Sequence, residues 1–209
     1  METALQDDWV NRVDRLSNDN YLIVDDFLSE ENLWGIKSYF KGMREENELQ
    51  KAGIGTLSAH QFNSEIRGDS IFWLSKGENP FIDYFLQRMD ELKENLNQLC
   101  FLSLSGYEFH LALYPRGSFY LKHLDQFKGR NNRLVSVILY LNENWMKGDG
   151  GELKMYLEDG EKLIEPIANR LVIFKSDLVE HEVLPTLKER YSLTGWMLYQ
   201  PPGLGFLLG

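Results

Sequence analysis

YEFHLALYPRGSFYLKHLD, Tyr107 to Asp125, is the stretch on which the reading of this chain turns. Before it, apolar residues recur at helical spacing; from Tyr107 the period becomes two. Phe109, Leu111 and Leu113 then share one face of an extended strand, and Glu108, His110, Ala112 and Tyr114 share the other. The stretch ends in His123 and Asp125, which on a strand point to the same side and can bind one ion together. A His-x-Asp pair is by itself a weak signal, because an isolated histidine is more often a surface or hydrogen-bonded core residue than a ligand. His110 is read that way, as a strand-face residue.

Downstream, RLVSVILYLN (Arg133 to Asn142) is nearly continuous β-branched and aliphatic sequence, as in a central strand buried on both faces. Asp149-Gly150-Gly151 is a turn and ELKMYL a strand. Glu158-Asp159-Gly160-Glu161 signals a hairpin before KLIEPI, and RLVIF and RYSLTGWMLY complete the set. His181 follows RLVIF, and Arg190 opens the last run. Two histidines and one carboxylate form the facial triad that holds non-haem Fe(II) with coordination positions left open. Zinc hydrolases use similar donors, but nothing here resembles H-E-x-x-H. Arg190 favours iron, because a fixed cation at one end of a metal pocket suits a dicarboxylate co-substrate that reaches the metal with its other end.

Upstream, YLIVDDFL (Tyr21 to Leu28) reads as a strand. Ser29 caps a helix with Glu30 and Glu31 at its positive end, running to about Phe40. Residues Lys41 to Ser64 show little periodicity and predict a long, mobile, lid-like connection holding a short hairpin. EIRGDSIFWL, from Glu65, combines the charged turn Arg67-Gly68-Asp69 with a strand. Asn79 and Pro80 then cap and open an amphipathic helix to about Leu99.

With 209 residues the chain is long enough for one well-buried domain. The expected architecture is mostly β with N-terminal helices: helical support over about 29–100 and a double-stranded β-helix, or jelly-roll, core over about 104–200. The charged start METALQDDWV has no signal-peptide character and no run reaches transmembrane length, so no membrane association and a cytoplasmic location are expected. The single Cys100 fits a reducing compartment. A net charge of −10 argues against nucleic-acid binding, which draws most of its affinity from Lys and Arg on phosphates. The apolar tail PPGLGFLLG is a candidate for packing on the barrel or on a second copy; oligomeric state is not legible here.

From about Tyr21 to Tyr199 the chain resembles the 2-oxoglutarate- and Fe(II)-dependent dioxygenases of the prolyl-hydroxylase type, most of all the hypoxia-inducible-factor prolyl hydroxylases and their bacterial relatives. IVDDFL, EIRGDSIFW, YPRGSFYLKHLD, RLVSVILYLN with Trp145 after it, GDGGELKMY, HEVLP and RYSLTGW carry the resemblance by their order and spacing. It implies that His123, Asp125 and His181 ligate iron, that Arg190 clamps the distal carboxylate of 2-oxoglutarate with help from Tyr140, and that Tyr114 and Trp196 line the co-substrate pocket. Tyr120 falls close to the iron strand. Arg67, Asp69 and Arg133 match positions that meet the peptide substrate.

The implied cofactors are Fe(II), 2-oxoglutarate and O₂, with ascorbate a candidate stimulant. The implied reaction is hydroxylation of an exposed prolyl residue in a protein, with 2-oxoglutarate leaving as succinate and CO₂. If the source is bacterial, translation factor Tu is the expected partner. A hydroxylase of a free amino acid or other small molecule, or a non-catalytic binding module on the same scaffold, are the alternatives.

Overall fold

The computed structural model describes residues 2–52, 66–126 and 132–199, with residues 2–8 as backbone only. The helices are α1 (Glu2–Asp19), α2 (Glu30–Glu45) and α3 (Pro80–Cys100). The strands are β1 (Tyr21–Val24), β2 (Gln50–Lys51), β3 (Ser70–Trp73), β4 (Leu104–Tyr114), β5 (Tyr120–His123), β6 (Arg133–Tyr140), β7 (Leu153–Leu157), β8 (Gly160–Ile164), β9 (Leu171–Lys175), β10 (Glu180–Val183) and β11 (Arg190–Tyr199). They form a seven-stranded sheet, ordered β1-β9-β6-β11-β4-β3-β2, and a four-stranded sheet, ordered β5-β10-β7-β8. Every strand pairing is antiparallel. The jelly-roll architecture expected from the sequence is the one observed.

Period-two alternation explains how one large sheet serves two cores. Phe109 and Leu111 on β4, Val135, Val137 and Leu139 on β6, Leu171 and Ile173 on β9, and Leu193 and Met197 on β11 pack with the helices. The alternate residues Ile138, Tyr140, Val172 and Phe174 instead join Leu153, Met155 and Ile164 of the smaller sheet. The helices therefore brace the back of the large sheet and leave its other face for the interior of the barrel. On α3, Ile82, Phe85, Leu86, Met89, Leu92 and Leu96 are buried at helical spacing, each contributing roughly 1.5–3 kcal/mol of transfer free energy. The Asn79 side chain accepts the Phe81 N–H at 2.9 Å and Pro80 occupies the first turn, as the sequence predicts.

Four expectations are corrected. The N-terminal segment is helix α1, whose Trp9, Val13 and Leu16 enter the helical core, so helical support begins well before residue 29. The first strand stops at Val24 because Asp25 pairs with Arg170 and Asp26 takes a left-handed φ of 52°. Helix α2 continues past Phe40 to Glu45, held by Met43 against the core and by Arg44 on Glu189. Strand β2 pairs with β3 and not within the 41–64 stretch. The rest of that stretch from residue 53, with Glu65 of EIRGD, and the C-terminal tail lie outside the described residues. No helix of the described residues is long and apolar enough to cross a membrane.

Candidate metal and co-substrate site

His181 on β10 and His123 at the end of β5 are direct cross-strand partners, so their side chains project from one face of the smaller sheet. Asp125 follows in the turn after β5. Its carboxylate oxygens lie 3.7 Å from His123 Nε2 and 3.6 Å from His181 Nε2. One donor atom from each residue falls within 4.8 Å of the others, close enough to share a metal ion. His123 Nδ1 meets the Leu121 carbonyl at 2.7 Å and His181 Nδ1 meets the Val179 carbonyl at 3.0 Å. A carbonyl only accepts, so both protons reside on Nδ1 and both Nε2 lone pairs face the shared point. Tyr120 stacks on the His123 ring at 3.7 Å and holds its plane.

Electrostatics keep these groups in their ligating forms. Burial depresses the His181 pKa to about 4, leaving the imidazole neutral at physiological pH. Burial alone would push the Asp125 carboxyl up. The charge that His181 takes on when it is protonated in acid, and a 2.6 Å hydrogen bond from Ser136 Oγ, outweigh it and hold the carboxyl well below the ordinary range. Ser136 is fixed in turn by Ser176 Oγ at 2.8 Å.

Arg190 enters the same cavity from the first residue of β11. It is 1% exposed, among the most buried large side chains, and makes no ion pair among the described residues. Its Nε donates to the Gly151 carbonyl at 2.9 Å. Its guanidinium carbon lies 4.9 Å from the Tyr114 ring and 5.0 Å from the Tyr140 ring. The Tyr140 hydroxyl is buried beside this guanidinium, which lowers its pKa against the effect of burial, and has no hydrogen-bond partner of good geometry among the described residues. A buried cation and a buried orphan hydroxyl side by side are costly unless a ligand answers them, and a carboxylate answers both.

The cavity, about 780 Å³, joins these two ends: its wall includes His123, Asp125 and His181 as well as Arg190 and Tyr114. Arg67, Arg133, Trp196 and His110 also line it. Asp69 does not. It is buried and receives Arg67 through a pair of hydrogen bonds at 2.7 and 2.6 Å, so it braces Arg67 from behind. Trp196 is six residues along β11 from Arg190, roughly 20 Å of extended chain, and therefore lies at the opposite end from the cation. There Arg133 stacks on it at 3.3 Å while donating to Glu108.

Residues 109–198 match the 2OG-Fe(II) oxygenase superfamily. A crystal structure of a Pseudomonas putida prolyl-4-hydroxylase is 40% identical, covers 92% of this chain and 100% of its own, and superposes with a TM-score of 0.85. The chain belongs to the 2OG-Fe(II) oxygenase superfamily. A prolyl hydroxylase from Trichoplax adhaerens, solved in complex with a hypoxia inducible factor peptide fragment, is 28% identical with a TM-score of 0.86 over 94% of this chain and 92% of that one. The human protein Egl nine homolog 1 is 32% identical over 83% of this chain and 42% of its own length. The chain thus spans less than half of that relative, and between 27% and 54% of four such curated relatives.

The residues present fit the cofactors of this oxygenase superfamily. Two imidazoles and a carboxylate suit Fe(II), and the Arg190–Tyr140 pair suits the far carboxylate of a dicarboxylate. Sequence reading missed Ser136, Ser176 and Gly151. Only the GDGG turn, with Gly151 at φ +69°, carried any local signal; a serine on a buried strand carries none until its partner across the barrel is known.

Proposed function

We propose that the protein is a 2-oxoglutarate- and Fe(II)-dependent dioxygenase that hydroxylates a prolyl residue in a protein substrate. The observation that carries the reading is the joining, within one cavity, of the His123–Asp125–His181 cluster to Arg190, which has no ion-pair partner among the described residues and lies beside the buried Tyr140 hydroxyl. His123, Asp125 and His181 would ligate the metal. Arg190 and Tyr140 would receive the distal carboxylate of 2-oxoglutarate, with the Tyr114 ring forming the wall beside it. When bound, Fe(II) with 2-oxoglutarate and O₂ supplies the oxidising power to replace a C–H bond by C–OH, with succinate and CO₂ released.

The chain's own residues set geometry and dryness. Ser136 and the Leu121 and Val179 carbonyls orient the three ligands before any metal arrives. Tyr114, Ile138, Leu153 and Val183 wall the cavity with apolar surface, which strengthens the charge contacts inside it and keeps water from the reacting centre. The prolyl substrate is supported by likeness to the Pseudomonas and Trichoplax prolyl hydroxylases and by Arg67 and Arg133 at the cavity wall. If the source is bacterial, translation factor Tu is the protein substrate to test first, and the lone Cys100 supports a cytoplasmic setting.

The test is anaerobic loading with Fe(II) and 2-oxoglutarate, then O₂ in the presence of purified translation factor Tu and proline-containing peptides, read by mass spectrometry. A gain of about one oxygen mass on proline, coupled to succinate, supports the reading. His123→Ala and Asp125→Ala should lose metal binding and turnover with an unchanged circular dichroism spectrum. Retained hydroxylation by both variants would remove the ligand assignment.

A further inference from the structure

We propose that His110 and Trp196 form a hydrogen-bonding pair that recognises the neutral amide groups flanking the reacting residue, so that the site accepts a residue held within a peptide and rejects the free amino acid. This rests on the prolyl hydroxylase reading and assigns that site its means of substrate discrimination.

The two side chains stand on the paired strands β4 and β11, ring centroids 5.5 Å apart, in the wall of the main cavity. His110 is 3% exposed and Trp196 8%. His110 Nδ1 and Trp196 Nε1 are both buried, and neither has a hydrogen-bond partner among the described residues. Fewer than a tenth of buried polar groups are left in this condition, and each needs a reason. Packing does not supply one. Leucine or phenylalanine would fill the same strand face without leaving an unanswered polar atom, and Trp73, whose ring lies 4.9 Å from His110, already closes one side. A ligand that brings its own donor and acceptor does supply a reason.

The neighbouring charges specify what kind of ligand. Arg67 is paired with Asp69, Arg133 with Glu108 and Lys122 with Glu180. Every cation that lines the cavity away from Arg190 is therefore already matched by a carboxylate. His110 is neutral as well, since burial first, and the nearby Arg67 charge with it, lowers its pKa to about 3. A free amino acid brings an ammonium and a carboxylate, and entering here would strip both of water against charges that are already engaged. An amide brings no charge. Its carbonyl takes the indole N–H, which can only donate, and its N–H meets an imidazole nitrogen, which in the neutral ring can accept. Discrimination of this kind is strong because a substrate lacking the matching group leaves the pair unanswered.

The test uses protein loaded with Mn(II) and 2-oxoglutarate under anaerobic conditions, with two probes that share one ring: N-acetyl-L-proline N-methylamide, which carries two amides and no charge, and free L-proline. Binding is read from the paramagnetic broadening of probe proton resonances, and 2-oxoglutarate affinity is measured separately by calorimetry. The native protein should bind the capped probe at least about tenfold more tightly than free proline. His110→Leu should weaken capped-probe binding about tenfold, and His110→Gln, which keeps an acceptor and a donor, should recover most of it. Affinity for 2-oxoglutarate should move less than about twofold in either variant. Equal binding of the capped probe by native and His110→Leu protein would overturn the proposal. So would free proline binding as tightly as the capped probe. If the native protein binds 2-oxoglutarate but neither probe, the prolyl reading itself fails and this inference goes with it, whereas loss confined to His110→Leu is specific to the pair.

Discussion

Arg190 and Tyr140 are buried neighbours, the guanidinium carbon 5.0 Å from the phenol ring and the phenol hydroxyl without a well-formed hydrogen bond among the described residues. Burial pushes the Tyr140 pKa up, and the Arg190 charge only partly opposes it, so the hydroxyl stays protonated as a donor. Each is a poor neighbour for the other until an anion joins them. Tyr140→Phe should therefore act in two directions. The protein without co-substrate should gain about 1 kcal/mol, or roughly 2–4 °C in Tm, from losing a buried unsatisfied group. Its 2-oxoglutarate affinity should fall by about three- to tenfold. Calorimetry with and without 2-oxoglutarate checks both signs, and a Tm that falls in its absence would count against the orphan hydroxyl.

Gly151 supports Arg190 through backbone alone. Its φ is +69°, and a Cβ there would meet Thr186 at 3.0 Å and Arg190 Cδ at 3.1 Å. Gly151→Ala should cost about 1–2 kcal/mol from the strained backbone. It should also raise KM for 2-oxoglutarate by displacing the guanidinium, while metal affinity stays the same. Denaturant melts and co-substrate titrations separate these effects.

Ser136 touches no metal-binding atom except through Asp125. Ser136→Ala removes the 2.6 Å hydrogen bond that orients the carboxylate. Metal affinity should drop by about 10- to 100-fold, the usual consequence of losing such a support, and the metal-free protein should lose about 1–3 kcal/mol because the buried Asp125 carboxylate and Ser176 Oγ each lose a partner. Competition between Mn(II) and a chelator measures it; unchanged affinity would show that the turn after β5 holds Asp125 unaided.

Glu189 ties the start of β11 to α2 through Arg44, and its carboxylate accepts the Tyr191 hydroxyl at 2.6 Å. The Tyr191 hydrogen bond, against a smaller burial effect and helped by Arg44, holds its pKa below the ordinary glutamate value. A carboxyl depressed in the folded state stabilises at pH above its unfolded pKa, and that contribution disappears as pH falls through the folded pKa. Arg44→Ala should thus lower stability near neutral pH and flatten its decline in the acid range below the ordinary glutamate pKa. Because the Glu189 side chain is 42% exposed, the effect should stay under about 1 kcal/mol. Urea melts across pH give the slope.

Much of this protein was legible in sequence because the deciding patterns are local. The shift to a period of two at Tyr107 set the faces of β4. The cap at Asn79 and Pro80 set the start of α3, and His123 with Asp125 set two candidate ligands at one strand end. Helix α1 was missed although Trp9, Val13 and Leu16 carry a helical period, because a charged N-terminal stretch becomes an ordered helix only through the core it packs on.

What tertiary structure alone decided are relations between residues far apart in the chain. The pairing of β5 with β10 set His181 against His123, and the barrel placed Ser136 and Ser176 behind Asp125. The fold also removed Asp69 from the cavity wall and cancelled the charges of Arg67 and Arg133. It left His110 and Trp196 with buried polar atoms unmatched among the described residues. Composition and spacing report what a segment does with its neighbours in sequence. Charge compensation and hydrogen-bond satisfaction depend on distances of a few ångströms across the fold, and only packing sets those.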